Sequence, residues 1–226
     1  MKSFSFTKIT SMVLLILIAC SSELEISNDA VVLGSKTVGT GFFNYTVSME
    51  DKPIKVYFHI PQNANPNSPL VFVFHGNGVN AKDYRDAIIA KANQYGFVAI
   101  APEFSNTYFT TGDDYNFGNV LLDADNQIAS TLNPKNQWTF SVIEPLFDFI
   151  RESLNNMSIK YHIIGHSARS QFAHRLAMFK PNGRYAKVVA SASGWYTVTD
   201  LAVKFPYDFT NSTLSNLFDK QLIVQI

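Results

Sequence analysis

The chain has 226 residues, a formal net charge of zero and 46% hydrophobic residues. This length allows one medium-sized domain with a buried core and is too short for two. The balanced charge argues against a nucleic-acid partner, and the hydrophobic content argues against a disordered chain. We therefore expect a single folded domain.

The N-terminus has the pattern of an export signal. Residues 12–19 form an apolar segment preceded by two lysines, and it is too short to span a bilayer core, which needs about 20 helical residues. The segment ends in Leu-Ile-Ala-Cys, which resembles the bacterial lipobox, and Cys20 is the only cysteine in the chain. This resemblance implies a lipoprotein signal peptide over residues 1–19, a lipid on Cys20 that attaches the exported protein to a membrane of the bacterial cell envelope, and a lipidated polar tether over residues 20–40.

Two early segments have the period-two pattern of half-buried strands. Residues 43–48 and 54–60 alternate apolar and polar side chains, which predicts antiparallel strands joined by a turn at residues 50–53. The pattern changes at residues 70–74, where five apolar side chains follow one another without alternation. Such a run is typical of a strand that is covered on both faces.

From residue 70 onward, predicted strands and helices alternate. A helix is predicted over residues 81–95, with Asn80 as its N-cap, an apolar stripe that ends at Tyr95, and Gly96 as its C-terminal stop. The later elements, in chain order, are a strand at 97–101, a helix around 143–154, a strand at 161–164, a helix directly after it, and strands at 188–193 and 221–226. This alternation predicts an α/β protein with a mostly parallel, doubly wound sheet and antiparallel N-terminal strands at one edge.

The strand at 161–164 leads directly into Gly165-His166-Ser167-Ala168-Arg169, and a helix follows at once. A strand, a Gly-x-Ser-x turn and a helix form the context of a nucleophile elbow, in which the serine hydroxyl stands at a helix N-terminus. In this the chain resembles the α/β-hydrolases, particularly bacterial esterases and polyhydroxybutyrate-depolymerase-like members. The resemblance implies an α/β-hydrolase domain over residues 41–226.

Ser167 is the candidate nucleophile, although a serine at this place can also act only as a helix cap. The segment His75-Gly76-Asn77-Gly78 resembles the oxyanion loop of esterases. Acyl transfer builds negative charge on the carbonyl oxygen of the substrate, which requires two backbone N–H donors. The resemblance assigns one to Ala168 and the other to Asn77, or next to Gly78. It implies a serine hydrolase that acts on small-molecule carboxylic esters through an acyl-enzyme, without a cofactor.

Two features depart from the family pattern. Arg169 replaces the final glycine of Gly-x-Ser-x-Gly, and we expect it to crowd the helix against a neighbouring strand and to tilt the elbow. The triad should continue with an acid and then a histidine. Asp200 is the best available acid, but none of the five histidines follows it. His166 is expected to pack beneath the turn, and His174 to point away from the hydroxyl.

The strand predicted at 221–226 is the last element of the sequence, so we expect the final strand or strands and the helix of an α/β-hydrolase to be missing. The alternative function is therefore a hydrolase-fold binding protein without catalysis, or a truncated fragment that lacks the triad acid and histidine. Residues 113–114 and 123–126 are acidic but lack the glycine and glutamate of a calcium loop, so no metal site is expected. The nearby aromatic residues either roof a pocket or anchor their loop: Tyr108, Phe109, Tyr115 and Phe117.

Overall fold

A computed structural model describes residues 29–46, 52–76, 78–123, 132–194, 196–197 and, as backbone only, 221–225. The strands are β1 Gly39–Thr46, β2 Pro53–Ile60, β3 Leu70–Phe74, β4 Val98–Glu103, β5 Tyr161–His166, β6 Tyr185–Ser191 and β7 Gln221–Gln225. The α-helices are α1 Ala81–Ala87, α2 Ile89–Tyr95, α3 Ile143–Ser153 and α4 Ala168–Phe179. Short 3-10 helices occupy Lys135–Gln137 and Thr139–Val142.

The seven described strands form one sheet in the order β1-β2-β4-β3-β5-β6-β7. The β1–β2 and β2–β4 pairs are antiparallel, whereas all the others are parallel. The predicted architecture is therefore confirmed: a mostly parallel α/β sheet with antiparallel N-terminal strands at one edge.

The sheet brings the two predicted motifs together. Strand β3 lies between β4 and β5, and Phe74 at its end pairs in register with Gly165 near the end of β5. The segments that follow these two strands therefore leave the same edge of the sheet side by side. This edge, at the carboxyl ends of parallel strands, is where open α/β sheets bind ligands.

An aromatic cluster packs directly beneath this edge, and we define it as Phe74, Phe104, Tyr115, Phe140 and Phe172. The ring of Phe172 lies 4.6 Å from that of Phe74 and 4.9 Å from those of Tyr115 and Phe140, measured between centroids. All five side chains are buried. Aromatic pairs at these distances stabilise a core beyond the area they bury.

The helix predicted over residues 81–95 is two helices, divided at Ile88, whose φ and ψ are −105° and 0°. Its buried side also differs from the prediction, because Tyr95 is 65% exposed and Arg85 is buried. The Arg85 guanidinium donates hydrogen bonds to the carbonyl oxygens of Phe58 and Gly41 on the adjoining strands. A stripe defined only by apolar side chains does not detect a buried arginine that is held by backbone acceptors.

The predicted helix ends are partly correct. Asn80 precedes α1 but makes no capping hydrogen bond, and its amide nitrogen lies 3.4 Å from Asp83 Oδ2 instead. Gly96 ends α2 with a φ of 71°, a left-handed conformation that glycine adopts without strain. Pro145 is the third residue of α3, within the first turn, where its missing N–H removes no helical hydrogen bond.

Helix α4 packs closely against β5 at Gly165. A Cβ added at Gly165 would lie 2.6 Å from the carbonyl oxygen of Arg169, 2.8 Å from Cβ of Ala173 and 2.9 Å from Cα of Ser170. Two of these three neighbours are backbone atoms, which cannot move aside as a flexible side chain can. Glycine is therefore required at position 165 for the helix to lie this close to the sheet.

Replacing Gly165 by alanine should destabilise the fold, because the added methyl group overlaps the backbone of α4. We expect the free energy of unfolding to fall by about 1–3 kcal/mol, as is usual for overpacking. Urea unfolding measures the change. Gly34→Ala is the matched control, since a Cβ at Gly34 meets nothing within 4 Å; equal effects at the two positions would contradict the close packing at Gly165.

Candidate active site

Ser167 occupies a sharp turn between β5 and α4. Its φ of 59° and ψ of −138° place a non-glycine residue in a left-handed conformation, which costs about 1–3 kcal/mol. The turn is fixed by two backbone hydrogen bonds: the Ser167 N–H donates to the Ser191 carbonyl (3.0 Å), and the Ser170 N–H donates to the Ser167 carbonyl (3.0 Å). The structure therefore contains the strained turn that the sequence predicts.

The hydroxyl of Ser167 does not act as a helix cap, because it makes no capping hydrogen bond to α4. Within the described part of the chain it has no hydrogen-bond partner, and the residue is only partly buried. It stands at the N-terminus of a twelve-residue helix, whose dipole and free N–H groups favour negative charge. The hydroxyl is thus available to a substrate.

The two predicted oxyanion donors belong to adjoining segments. Ala168 is the first residue of α4, so helical geometry leaves its N–H without an intrahelical acceptor. Gly78 is exposed in the loop after β3, whereas Asn77 lies outside the described residues. A Cβ at Gly76 would approach the hydroxyl oxygen of Tyr84 to 2.8 Å, so a larger residue there needs the Tyr84 side chain to shift.

His75 holds this loop in place from below. Its side chain is fully buried, with Nδ1 2.8 Å from the carbonyl oxygen of Gly76 and Nε2 accepting the Phe104 N–H at 3.2 Å. Burial lowers the pKa of His75 to about 4, and the nearby charge of Arg169 adds to this effect. The neutral ring therefore joins the oxyanion loop to the end of β4.

His174, on α4, is likewise fully engaged. Its Nδ1 lies 2.7 Å from the carbonyl oxygen of Ser170, and its Nε2 accepts the Thr197 N–H at 3.1 Å. Burial lowers its pKa to about 3, helped by the charge of Arg175. As predicted, His174 is not placed to take a proton from Ser167.

The other three histidines are not hydrogen-bonded to Ser167 either. His59 Nε2 lies 2.7 Å from Asn93 Oδ1, and His162 is half-buried in β5, where burial and the charge of Lys187 lower its pKa. His166 is exposed, with Nδ1 3.1 Å from the Ser191 hydroxyl, so the prediction that it packs beneath the turn is wrong. All five histidines are described, and none is hydrogen-bonded to Ser167.

Arg169 does not crowd the neighbouring strand, so that prediction is also wrong. The close contact of α4 with the sheet occurs at Gly165, while the Arg169 side chain extends toward the loop before α3. There its Cζ lies 3.7 Å from the ring centroid of Tyr115, and Nη1 donates to Asn116 Oδ1. The residue is 5% exposed, and no tilt of the elbow is needed to accommodate it.

The sequence did not reveal that α4 is buried on all sides, including its polar residues. Gln171 Nε2 donates to the carbonyl oxygen of Ser193 (2.9 Å), and Arg175 donates to Thr197 Oγ1 (2.9 Å) and to the carbonyl oxygen of Asn116 (3.0 Å). These bonds tie the segments before α3 and after β6 to the helix that carries Ser167. Hydrophobic periodicity assigns such polar residues to solvent, so it gives no signal for this network.

The aromatic residues of the long connection before α3 act mainly as anchors. Phe109 and Tyr115 are buried, Phe117 lies under the Arg175 guanidinium at 4.8 Å, and Tyr108 is 40% exposed.

Asp114 caps a turn through bonds to Thr111, and no metal-binding group of three His, Cys, Asp or Glu residues occurs in the described part of the chain. Cys20, Asp200 and Asp125 lie outside the described residues.

The chain is similar to solved hydrolases. Poly(aspartic acid) hydrolase-1 from Sphingomonas sp. KT-1 is 36% identical, with a TM-score of 0.76 over 83% of this chain and 71% of that one. A poly(3-hydroxybutyrate) depolymerase from Bordetella parapertussis is 28% identical, with a TM-score of 0.71 over 80% of this chain and 62% of that one. No family model and no curated protein matches the sequence.

Protonation of the two buried histidines should destabilise the protein in mild acid. Their pKa values are lowered from 6.5 to about 4 for His75 and to about 3 for His174, so below pH 6.5 the unfolded chain binds protons that the folded chain excludes. The free energy of unfolding should therefore fall as the pH drops through this range, by on the order of 3 kcal/mol for each histidine. Urea unfolding at a series of pH values measures the slope.

A variant with a neutral side chain at position 75 separates this effect from general acid denaturation. His75→Gln should be less stable than wild type at pH 7, because Gln cannot reproduce both ring hydrogen bonds. Its stability should nevertheless depend less steeply on pH between about 6.5 and 4. An unchanged slope would mean that His75 is not the group that resists protonation.

Proposed function

Because the chain belongs to the α/β-hydrolase family, we propose that it is a serine hydrolase that attacks carboxylic esters through Ser167. The observation that supports this proposal is the strained turn at Ser167, whose hydroxyl neither caps α4 nor bonds to another described residue. Backbone strain of this kind persists where the surrounding structure imposes it, and it concentrates at functional sites.

In the proposed reaction the Ser167 oxygen adds to the ester carbonyl, and its proton passes to a general base. The carbonyl oxygen becomes an oxyanion, which accepts hydrogen bonds from the N–H of Ala168 and from an N–H of residues 77–78. Collapse of this intermediate breaks the bond to the alcohol, which leaves with a proton, and an acyl-enzyme forms. Water then releases the carboxylic acid and restores the serine.

The proposed substrates are carboxylic esters, either small or polymeric. The two solved relatives are named for poly(aspartic acid), whose units are joined by amide bonds, and for poly(3-hydroxybutyrate), whose units are joined by ester bonds. This chain spans 71% and 62% of the lengths of these relatives. Because of the similarity, we treat their polymers as candidate substrates. Both polymers belong in an activity screen beside p-nitrophenyl esters.

One observation favours a second function, that of a hydrolase-fold protein that binds an ester without turning it over. A serine hydroxyl is a weak nucleophile until a base accepts its proton. Four of the five histidines form hydrogen bonds away from Ser167, and the fifth, His162, has no described hydrogen bond to it. The proposed acid, Asp200, lies outside the described residues.

Reactivity at Ser167 separates the two functions. We expect the 226-residue chain to react slowly with a fluorophosphonate probe and to give no burst with a p-nitrophenyl ester. Oxyanion donors and binding alone leave only about 10³–10⁴-fold catalysis over water. Any labelling should disappear in Ser167→Ala and persist in Ser191→Ala. Rapid labelling lost only in Ser167→Ala would show that another group acts as base and that the chain is an active hydrolase.

We also propose that the protein is exported and held at a membrane of the bacterial cell envelope by lipid on Cys20. The support is the sequence pattern of residues 1–20, which lie outside the described residues. Within the described chain, no helix has the length and hydrophobicity needed to cross a bilayer. Two or three acyl chains, each contributing about 0.8 kcal/mol per buried CH₂ group, give lasting attachment.

Lipidation is tested by phase partitioning after expression in a bacterium. The wild-type protein should enter the detergent phase, and Cys20→Ser should remain in the aqueous phase because it offers no thiol for the lipid. Ser21→Ala, which leaves the thiol in place, is the control and should partition as wild type. Equal partitioning of wild type and Cys20→Ser would refute the anchor.

A further inference from the structure

Arg169 is a buried cation without a counter-charge. Its side chain is 5% exposed, and among the described residues it has no carboxylate partner. Among the described residues, its guanidinium donates to Asn116 Oδ1 and rests on the ring of Tyr115, whose hydroxyl it also approaches, while Nε has no acceptor there. Burial accordingly lowers its pKa, because desolvation disfavours the charged form.

The charge lies beneath the oxyanion loop. The Arg169 Cζ is 3.7 Å from the ring centroid of Tyr115, which is 5.3 Å from the ring of His75. His75 in turn bonds to Gly76, and its pKa is lowered by burial and by the charge of Arg169. The guanidinium also interacts electrostatically with Tyr84, whose hydroxyl lies against Gly76.

Among the described residues, no carboxylate on a neighbouring element offsets this cation. The titratable groups that face it are His75 after β3, Tyr84 on α1 and Tyr115 before α3. Burial lowers the pKa of His75 to about 4 and raises that of Tyr115, so these two groups are neutral at pH 7.

A second buried arginine on the same helix is bonded differently. Arg175 is fully buried, but it donates to three oxygen acceptors, on Thr197, Asn116 and Gln171. These bonds connect segments of the fold. Arg169 has fewer described acceptors than Arg175, with Asn116 Oδ1 and the face of Tyr115 as its main contacts, whereas buried ions are ordinarily paired or fully hydrogen-bonded.

We propose that Arg169 supplies the counter-charge for the anion that forms at the elbow. The proposal rests on the proposed function, in which negative charge develops between Ala168 and the loop at 75–78. In a low-dielectric site, a fixed cation stabilises such charge through its field, without touching the reacting atoms. Arg169 thus acts through its field. It stabilises an anion at Ser167 but does not stabilise a neutral substrate or the uncharged hydroxyl.

A thiol at position 167 can report this field without any turnover. In a chain carrying Cys20→Ser and Ser167→Cys, the introduced thiol is the only one, because Cys20 is the single native cysteine. The pH dependence of its alkylation by iodoacetamide gives the thiol pKa. We expect the pKa to rise by about one pH unit when Arg169→Met is added, because the thiolate loses a nearby cation.

Two further variants distinguish charge from structure. Arg169→Lys keeps the charge and should retain most of the lowered thiol pKa, whereas Arg169→Gln should behave as Arg169→Met. Arg175→Met, on the same helix, is the control and should leave the thiol pKa unchanged even if it lowers the melting temperature. Circular dichroism and melting curves establish which variants fold.

An unchanged thiol pKa in Arg169→Met would overturn the proposal, as would an equal rise in Arg175→Met. Loss of folding in both neutral variants would make Arg169 a structural residue and overturn it too. The proposed function fails by a different result, the absence of fluorophosphonate labelling and ester hydrolysis in wild type. Alkylation of the thiol needs no general base. The thiol pKa therefore still reports the effect of Arg169 even if the wild-type protein is not a hydrolase.

Discussion

The close approach of α4 to β5 at Gly165 is the constraint on which the site depends. Since a Cβ there would overlap the helix backbone, only glycine lets α4 begin directly above the sheet. The chain must then reverse within a single residue, which places Ser167 at a φ of 59° and exposes its hydroxyl at the helix N-terminus. The parallel pairing of Phe74 with Gly165 places the loop after β3 beside it. Sheet register and one glycine therefore determine where Ser167, the start of α4 and this loop meet.

The same helix also holds the walls of the site, and this explains its composition. A helix that only filled the core would be apolar all round. Helix α4 instead carries buried polar side chains, such as Gln171 and Arg175, that bind the segments before α3 and after β6. The residues bonded in these segments, Asn116, Ser193 and Thr197, lie outside helices and strands, so side-chain hydrogen bonds replace a strand ladder in fixing them. Burial in this network lowers the pKa values of His75 and His174, so both remain neutral. The stability of the site therefore depends on pH.

The sequence predicted those parts of the fold that follow from local patterns. Uninterrupted apolar runs gave the central strands, and the Gly-x-Ser-x turn gave the elbow, because both depend on residues adjacent in the chain. Buried polar groups were missed. Arg85, Arg169 and Arg175 lie in the core because their partners come from distant segments, and no periodicity encodes such pairing. The orientation of His166 was missed for the same reason, since its partner Ser191 lies on the next strand.

The site can be divided into two parts that need not occur together. In the proposed function, one part stabilises an anion: the N-terminus of α4, the loop held by His75, and the buried charge of Arg169. Each of these is fixed by contacts within the described chain. The other part moves a proton, and the described histidines do not provide it at Ser167. Electrostatic stabilisation is usually the largest single contribution to catalysis, and it lasts as long as the fold lasts. On the proposals made above, a chain built in this way retains affinity for an oxyanion whether or not a base completes the reaction.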